Sequence, residues 1–206
     1  MKQMLVFILF FFLTSLAMAK HPAVVSVKCP ASGGVTDWGT GTLIDCGCER
    51  SFVITNNHVV RDVVGNPIVI FPNGSSYYGD IIKTDKVWDL ALVEIIPPGV
   101  PGVKLAGETP KLGERLTIIG YGARPDDNYR EASGPLVGWA MPMNNPNSYF
   151  MNIGVAARNG DSGGPILNEK GELSGVLWGS NGETSGTYCG QIQTFLRSCG
   201  LSGIKQ

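Results

Sequence analysis

Apolar runs only five to eight residues long, rich in Val, Ile and Thr, alternate with Gly, Asn, Asp and Pro clusters along this 206-residue chain. Short runs cut by turn formers fit β-strands and not the longer period of amphipathic helices. The rhythm predicts strands near 23–28, 39–45, 51–55, 67–71, 77–84 and 90–96, then near 115–121, 134–141, 149–154, 164–168, 173–179 and 186–193. Between the two sets, residues 97–113 are rich in Pro and Gly and read as a linker. A short helix is expected to start at Asn57, and another to cover about the last 15 residues. Six strands, a linker and six strands predict an all-β chain. The expected form is two packed six-stranded antiparallel β-barrels, about 20–100 and about 112–206, with a short C-terminal helix. Glycine is abundant, 28 of 206 residues, about twice its usual ~7% share. It is read as backbone freedom at the corners of those barrels.

Residues 1–19 do not belong to this pattern. Lys2 precedes an almost unbroken apolar run from Leu5 to Leu16, and Ala17-Met18-Ala19 is a small-x-small cleavage site before Lys20. This is the form of a secretory signal peptide. The rival, a membrane anchor, needs about 20 apolar residues to span a bilayer, more than Leu5 to Ala19 provides. Secretion or export to the periplasm is expected, with cleavage near Ala19 and no stable membrane anchor.

Export favours disulfides. The five cysteines are Cys29, Cys46, Cys48, Cys189 and Cys199. The odd count leaves one thiol free or paired between chains, so a monomer is expected but an intermolecular disulfide is permitted. Cys189 and Cys199, near one another in sequence, are the expected pair. Cys46-Gly47-Cys48 lacks a second Cys-x-Cys and the chain has only two histidines, so no metal site is read there. No cofactor motif is found. A net charge of −1 argues against nucleic acid held on a basic surface.

Three segments carry chemistry. Ile54-Thr55-Asn56-Asn57-His58-Val59-Val60 runs a strand into a histidine. Asp89-Leu90-Ala91-Leu92-Val93 opens an apolar strand with an aspartate. Asn159-Gly160-Asp161-Ser162-Gly163-Gly164-Pro165 sets a serine among glycines. Singly, each has a bland reading: a structural histidine, a turn aspartate, a loop. Together they supply what a serine nucleophile needs. A base must take its proton, and histidine titrates near neutrality. A carboxylate on the other ring nitrogen fixes the tautomer. Glycines let the Gly160 and Ser162 amides converge on a developing oxyanion. Asp85 is the competing carboxylate, read as a turn cap before the strand; Asp45, Asp62 and Asp80 are bland near-strand carboxylates. His21 lies at the loose mature end. Asn73-Gly74-Ser75 is a glycosylation sequon or simply a hairpin turn.

In these blocks, over essentially the whole mature chain, the sequence resembles the chymotrypsin-like (trypsin-fold) serine peptidases. Thr55-Asn56-Asn57-His58-Val59 is similar to their Thr-x-x-His-Val block, Asp89-Leu90-Ala91-Leu92 to Asp-Ile-Ala-Leu, and Gly120-Tyr121-Gly122 to Gly-Trp-Gly. Gly160-Asp161-Ser162-Gly163-Gly164-Pro165 matches the nucleophile block throughout. Val176-Leu177-Trp178-Gly179 resembles the substrate-pairing strand, and Gly186-Thr187-Tyr188 a pocket wall. The short spacings resemble compact bacterial, HtrA-type members, here without a PDZ domain. The resemblance implies a serine endopeptidase acting on protein or peptide substrates, with His58, Asp89 and Ser162 catalytic and Gly160 and Ser162 forming the oxyanion hole. Ala156, Ala157, Leu177, Trp178, Gly179 and Gly186 would bind substrate. Nothing acidic lies there, so an apolar side chain is expected before the scissile bond. The chain departs from the family in three places. Lys20-His21-Pro22-Ala23 lacks the activating Ile-Val-Gly-Gly, which leaves Asp161 without an N-terminal partner. Val59 replaces a paired cysteine, and Leu177 replaces a serine that often supports the aspartate. Two rival readings are a non-catalytic binding module using the same cleft and an α/β-hydrolase esterase. An esterase would carry its triad in the order Ser, Asp, His.

Overall fold

In the first half of the chain, β1 (Val24–Pro30), β2 (Thr36–Ile44) and β3 (Ser51–Thr55) are buried along most of their length. Two of the three are runs that the sequence expects as strands within a residue or two; β2 starts three residues early. The computed structural model describes residues 19–34, 36–122, 128–141, 149–180 and 184–201. The leader read at 1–19 therefore lies outside the described residues except for Ala19. Among them, no helix is long and apolar enough to cross a membrane.

The first half continues through α1 (Asn57–Val60), β4 (Ile68–Ile70), β5 (Ser76–Tyr78), β6 (Asp80–Asp85) and β7 (Leu90–Ile95). These strands form one seven-stranded sheet in the order β5-β4-β1-β2-β3-β7-β6. A six-stranded closed barrel is thus replaced by an open, curled one. The extra strand comes from the run expected at 77–84, which breaks in two at Gly79. A Cβ there would come within 2.3 Å of Val93 Cγ1, so the chain can pass β7 closely only without a side chain. Edge strand β6 is exposed and carries Asp80, Lys83 and Asp85, charges that discourage pairing with another chain.

The second half closes as predicted. β8 (Arg115–Gly120), β9 (Arg130–Ala140), β10 (Phe150–Ile153), β11 (Pro165–Leu167), β12 (Leu173–Ser180) and β13 (Thr184–Tyr188) form a barrel in the order β10-β13-β12-β11-β8-β9. The run expected as a strand to 193 stops at Tyr188, and α2 (Cys189–Ser198) follows at once. Its apolar residues Ile192, Phe195 and Leu196 fall at helical spacing and are buried. Lys83 Nζ of β6 donates to Ser198 O at 3.1 Å, placing a cation at the negative end of the helix. That bond ties the barrel's last element to the other half.

That helix also overturns the expected Cys189–Cys199 disulfide. Ten residues of helix separate the two by about 15 Å, whereas bridged Cα atoms lie within about 7 Å. The disulfide joins Cys46 to Cys48 instead, with Cα atoms 5.3 Å apart. Cys29, Cys189 and Cys199 are free.

The segment 97–113 is no slack linker either. Val103, Leu105 and Ala106 are buried. Val103 forms a parallel bridge with Ile44, and Leu105 with Leu173. The segment therefore laces β2 of the first half to β12 of the second. Its period of two at Val103 and Leu105 is a strand signal hidden among prolines and glycines.

Two apolar clusters result. The larger fills the sheet and runs on through Ile119, Tyr121, Leu173 and Val176 to the buried face of α2. The smaller is the barrel interior: Leu116, Ile118, Leu136, Met151, Ile153, Ile166 and Leu177.

Candidate active site

β3 ends at Thr55, and the extended backbone of Asn56 (φ −87°, ψ 150°) leads into α1, whose second residue is His58. Asn56 is fully buried, and its Nδ2 donates to Asp89 O at 2.8 Å. Asp89, immediately before β7, has φ +50° and is the only described residue besides glycine with a positive φ. Such backbone is uncommon outside glycine, although aspartate tolerates it better than most. Here both carboxylate oxygens meet α1. Oδ1 accepts from His58 N at 2.9 Å, and Oδ2 lies 2.6 Å from His58 Nδ1. The preceding Trp88 O accepts from Thr187 Oγ1 of the barrel at 2.6 Å. The strained turn is thus held on both sides, as strain at a site requires. The His58 side chain is 35% exposed and that of Asp89 18%, so the ring meets solvent while the carboxylate is shielded. Asp85 accepts from Val87 N at 2.8 Å and Trp88 N at 3.1 Å; it caps the turn, as the sequence indicates.

Ser162 lies in the connection between β10 and β11, on the other half. Its carbonyl accepts from Thr40 N at 2.8 Å. Thr40 Oγ1 donates to Gly160 O at 2.8 Å and accepts from Tyr121 N at 3.1 Å. Thr40 O accepts from Thr55 Oγ1 at 2.7 Å. Gly163 N donates to Leu177 O at 2.7 Å, and Leu177 N to Gly164 O at 2.9 Å. The loop is therefore sewn to β2 on one side and β12 on the other. Gly163 is where it comes closest. Its φ is +86°, and a Cβ would lie 2.1 Å from Thr40 O, 2.2 Å from Thr55 Oγ1 and 3.2 Å from Asn56 N. The residue after Ser162 thus packs on the very backbone that leads into His58. Among the described residues, the amides of Gly160 and Ser162 have no hydrogen-bond acceptor.

The other predicted residues fall nearby in different settings. Ala156 is exposed and Ala157 half-buried, with Ala157 N donating to Thr184 Oγ1 at 2.7 Å. Arg130 Nη2 donates to Ala156 O. Leu177 turns its side chain into the barrel core and offers only backbone to the loop. Trp178 stacks edge-on against Phe150, ring centroids 4.8 Å apart, and Phe150 meets Trp88 at 5.4 Å. Gly179 has φ +63°. Gly186 is buried, and a Cβ there would come within 2.2 Å of Ile166 Cδ1. Its missing side chain makes room for the barrel interior.

Three residues of this site were not singled out from sequence: Thr40, Asn56 and Arg158. Thr40 had a signal. It stands between Gly39 and Gly41 inside a strand, and glycine in a strand interior marks close approach. A Cβ at Gly39 would lie 2.7 Å from Val59 and 3.1 Å from Ser162 O.

A His–Asp pair on an open β half and a glycine-framed serine loop on a closed β-barrel together define a chymotrypsin-like fold. Comparison with known proteins gives the family. Residues 39–176, which include all three predicted catalytic positions, match the trypsin-like peptidase domain, and the chain belongs to that family. It is 31% identical over 167 residues to a probable periplasmic serine endoprotease DegP-like of Pseudomonas putida, covering 81% of this chain and 31% of that protein. It is 26% identical over 145 residues to the serine protease Do-like HtrB of Bacillus subtilis, covering 66% of this chain and 31% of that one. The chain thus spans about a third of the length of these relatives. Among solved structures, the fold is shared with a serine endoprotease from Yersinia pestis. That match has TM-score 0.74 and 22% identity over 90% of this chain and 65% of that one. It is also shared with the HtrA-type protease AlgW solved with a tripeptide, at TM-score 0.75 and 20% identity over 87% and 60% of the two chains.

Proposed function

We propose that this chain is an exported serine endopeptidase, secreted or periplasmic, that cleaves proteins or peptides through an acyl-enzyme. One observation carries the reading. Asp89 grips His58 twice, at the ring nitrogen (2.6 Å) and at the backbone amide (2.9 Å). With Nδ1–H held by the carboxylate, Nε2 keeps its lone pair and acts as base toward Ser162 Oγ. Ser162 attacks the scissile carbonyl, the imidazolium returns its proton to the leaving amine, and water repeats the sequence to release the acid. The Gly160 and Ser162 amides, without acceptors of their own, are suited to the oxyanion, each worth about 3–4 kcal/mol in the transition state. The relatives' names, serine endoprotease and serine protease, support the same reaction class.

For specificity, we place the side chain before the scissile bond near Ala156, Ala157 and Gly179, with Trp178 beside it. No carboxylate in this group would favour Arg or Lys. An apolar residue fits best.

Labelling with a fluorophosphonate probe tests the mechanism. Wild type is expected to label and Ser162→Ala not to. Equal labelling of the two, or none in either, would sink the proposal. A peptide-library profile with Arg, Lys or Glu before the cleaved bond would overturn the specificity.

A further inference from the structure

Asp161, immediately before Ser162, is only 2% exposed. A carboxylate removed from water costs several kcal/mol unless a counter-charge and hydrogen bonds replace the solvent. The structure supplies both from three residues upstream. Arg158 Nη2 lies 2.9 Å from Asp161 Oδ1 and Arg158 Nε 3.1 Å from Oδ2, while Arg158 N donates to Oδ2 at 2.8 Å. Gly122 N adds a fourth bond, to Oδ1, at 2.9 Å. The guanidinium has more to give: Nη2 also donates to Asn128 O at 2.7 Å and Gly120 O at 3.2 Å. The surroundings are fitted to the pair. A Cβ at Gly120 would lie 2.4 Å from Asp161 Oδ1, and one at Gly122 3.2 Å from the Arg158 guanidinium carbon.

This arrangement closes the loop on itself. The segment 158–161 is a ring whose ends are joined by a bidentate ion pair, and Gly160, with φ +88°, is inside it. Bidentate pairs fix direction as well as distance. We propose that Arg158 is a positioning residue: it holds the Gly160 and Ser162 amides toward the oxyanion, and it does so with a charge internal to the loop. The buried carboxylate then needs no ammonium from a new chain end, so no activating cut is required. This rests on the reading of Ser162 as nucleophile.

The test compares Arg158→Met and Arg158→Lys with wild type. The readouts are kcat, KM, inhibition by a peptide aldehyde and near-ultraviolet circular dichroism. Methionine keeps much of the bulk and loses the charge. Lysine keeps the charge without the planar fork and cannot serve Asp161, Gly120 and Asn128 together. We expect Arg158→Met to lose about 100-fold in kcat, with KM within about 3-fold, since an oxyanion donor acts in the transition state. Aldehyde affinity should fall in parallel with kcat/KM, a change that loss of general stability would not produce in the folded fraction. Arg158→Lys should lose about 10-fold, and it decides the matter by the same criteria if the methionine variant does not fold. A kcat within about 3-fold of wild type, or a loss confined to KM, overturns the proposal. Extra residues ahead of Lys20 should leave kcat unchanged; a loss of tenfold or more there would overturn the claim that no chain end is needed. Failure of wild type itself to label or cleave would instead indict the reading of Ser162, so the two failures are distinct.

Discussion

The two halves of this molecule solve the same packing problem in opposite ways. The first half is an open sheet whose core includes β-branched residues of three strands: Val24, Val25 and Val27 of β1, Val53 and Ile54 of β3, and Val93 of β7. Its core runs without a break into the interface and the face of α2. The barrel encloses a small private core in which long side chains reach across glycines. Met151 Cε would meet a Cβ on Gly175 at 2.3 Å, and Ile166 Cδ1 one on Gly186 at 2.2 Å. The half that carries His58 and Asp89 thus has a valine-rich core, and the barrel behind the Ser162 loop has a flexible methionine in its own. In both halves glycine is spent on interior volume as well as on turns, since a Cβ at Gly41 would meet Val53 Cγ1 at 2.6 Å; what differs is the side chain that fills the space, branched valines in the sheet against Met151 and Ile166 in the barrel.

The comparison can be broken or sharpened in order of effect. Asp89→Asn should be the most severe test of the first half. It leaves the backbone grip of Asn56 in place but allows the wrong His58 tautomer, so kcat should fall about 10⁴-fold with little change in thermal midpoint. A comparable loss of stability would mean that Asp89 holds the sheet and not the ring. Next come two leucines of equal burial, Leu92 of β7 and Leu136 of β9. Leu92→Ala should cost about 4–5 kcal/mol, because its branched neighbours cannot collapse into the space. Leu136→Ala should cost only about 2–3, because the flexible Met151 can. Equal costs by urea unfolding would erase the distinction. Thr40→Val keeps shape but strips Gly160 O of its donor and Tyr121 N of its acceptor, which should cost about 1–3 kcal/mol. Activity should fall further than stability, since those bonds join the halves at the serine loop.

The cysteines give the smallest effects. The Cys46–Cys48 bridge closes so short a loop that its removal by paired serine substitution should cost no more than about 2 kcal/mol. Burial pushes the Cys29 thiol up to about 12 and the Cys189 thiol up to about 11. Both are therefore neutral and shielded in the native chain and should label slowly with a disulfide reagent at about pH 8, whichever half they belong to. The raised folded values also set a sign. Their stabilising contribution is intact below the unfolded thiol range and is lost as pH climbs from about 9 toward 11 and 12. Urea midpoints that rise over that range in the wild type, compared with Cys29→Ala, would contradict the assignment.

How much of this was legible depended on whether a signal was local. The His58, Asp89 and Ser162 blocks were readable because each couples an unusual residue to a strand boundary within a few positions. The closed barrel followed from six evenly punctuated runs. The open first sheet did not, because the break at Gly79 is caused by Val93, fourteen residues on. No local pattern sets Arg158 apart; only the fold brings Gly120, Gly122 and Asn128 around it. The linker concealed its strand character under proline, and the expected Cys189–Cys199 bridge failed because nearness in sequence became length along a helix. Gly186 shows the same limit: the sequence does not tell that Ile166 fills the space beside it.

The lacing of residues 103–106 between β2 and β12 bears on how the chain acquires its structure. Val103 pairs with Ile44 of the first half, Leu105 pairs with Leu173 of the second, and the sheet core is continuous with Ile192, Phe195 and Leu196 of α2. The first half is therefore no independent folding unit, although it comes first in the chain. Contacts so distant in sequence slow the search and leave the core incomplete without α2. His58 and Asp89 are joined by bonds inside the first half, whereas the Ser162 loop belongs to the second and is held to the first through Thr40.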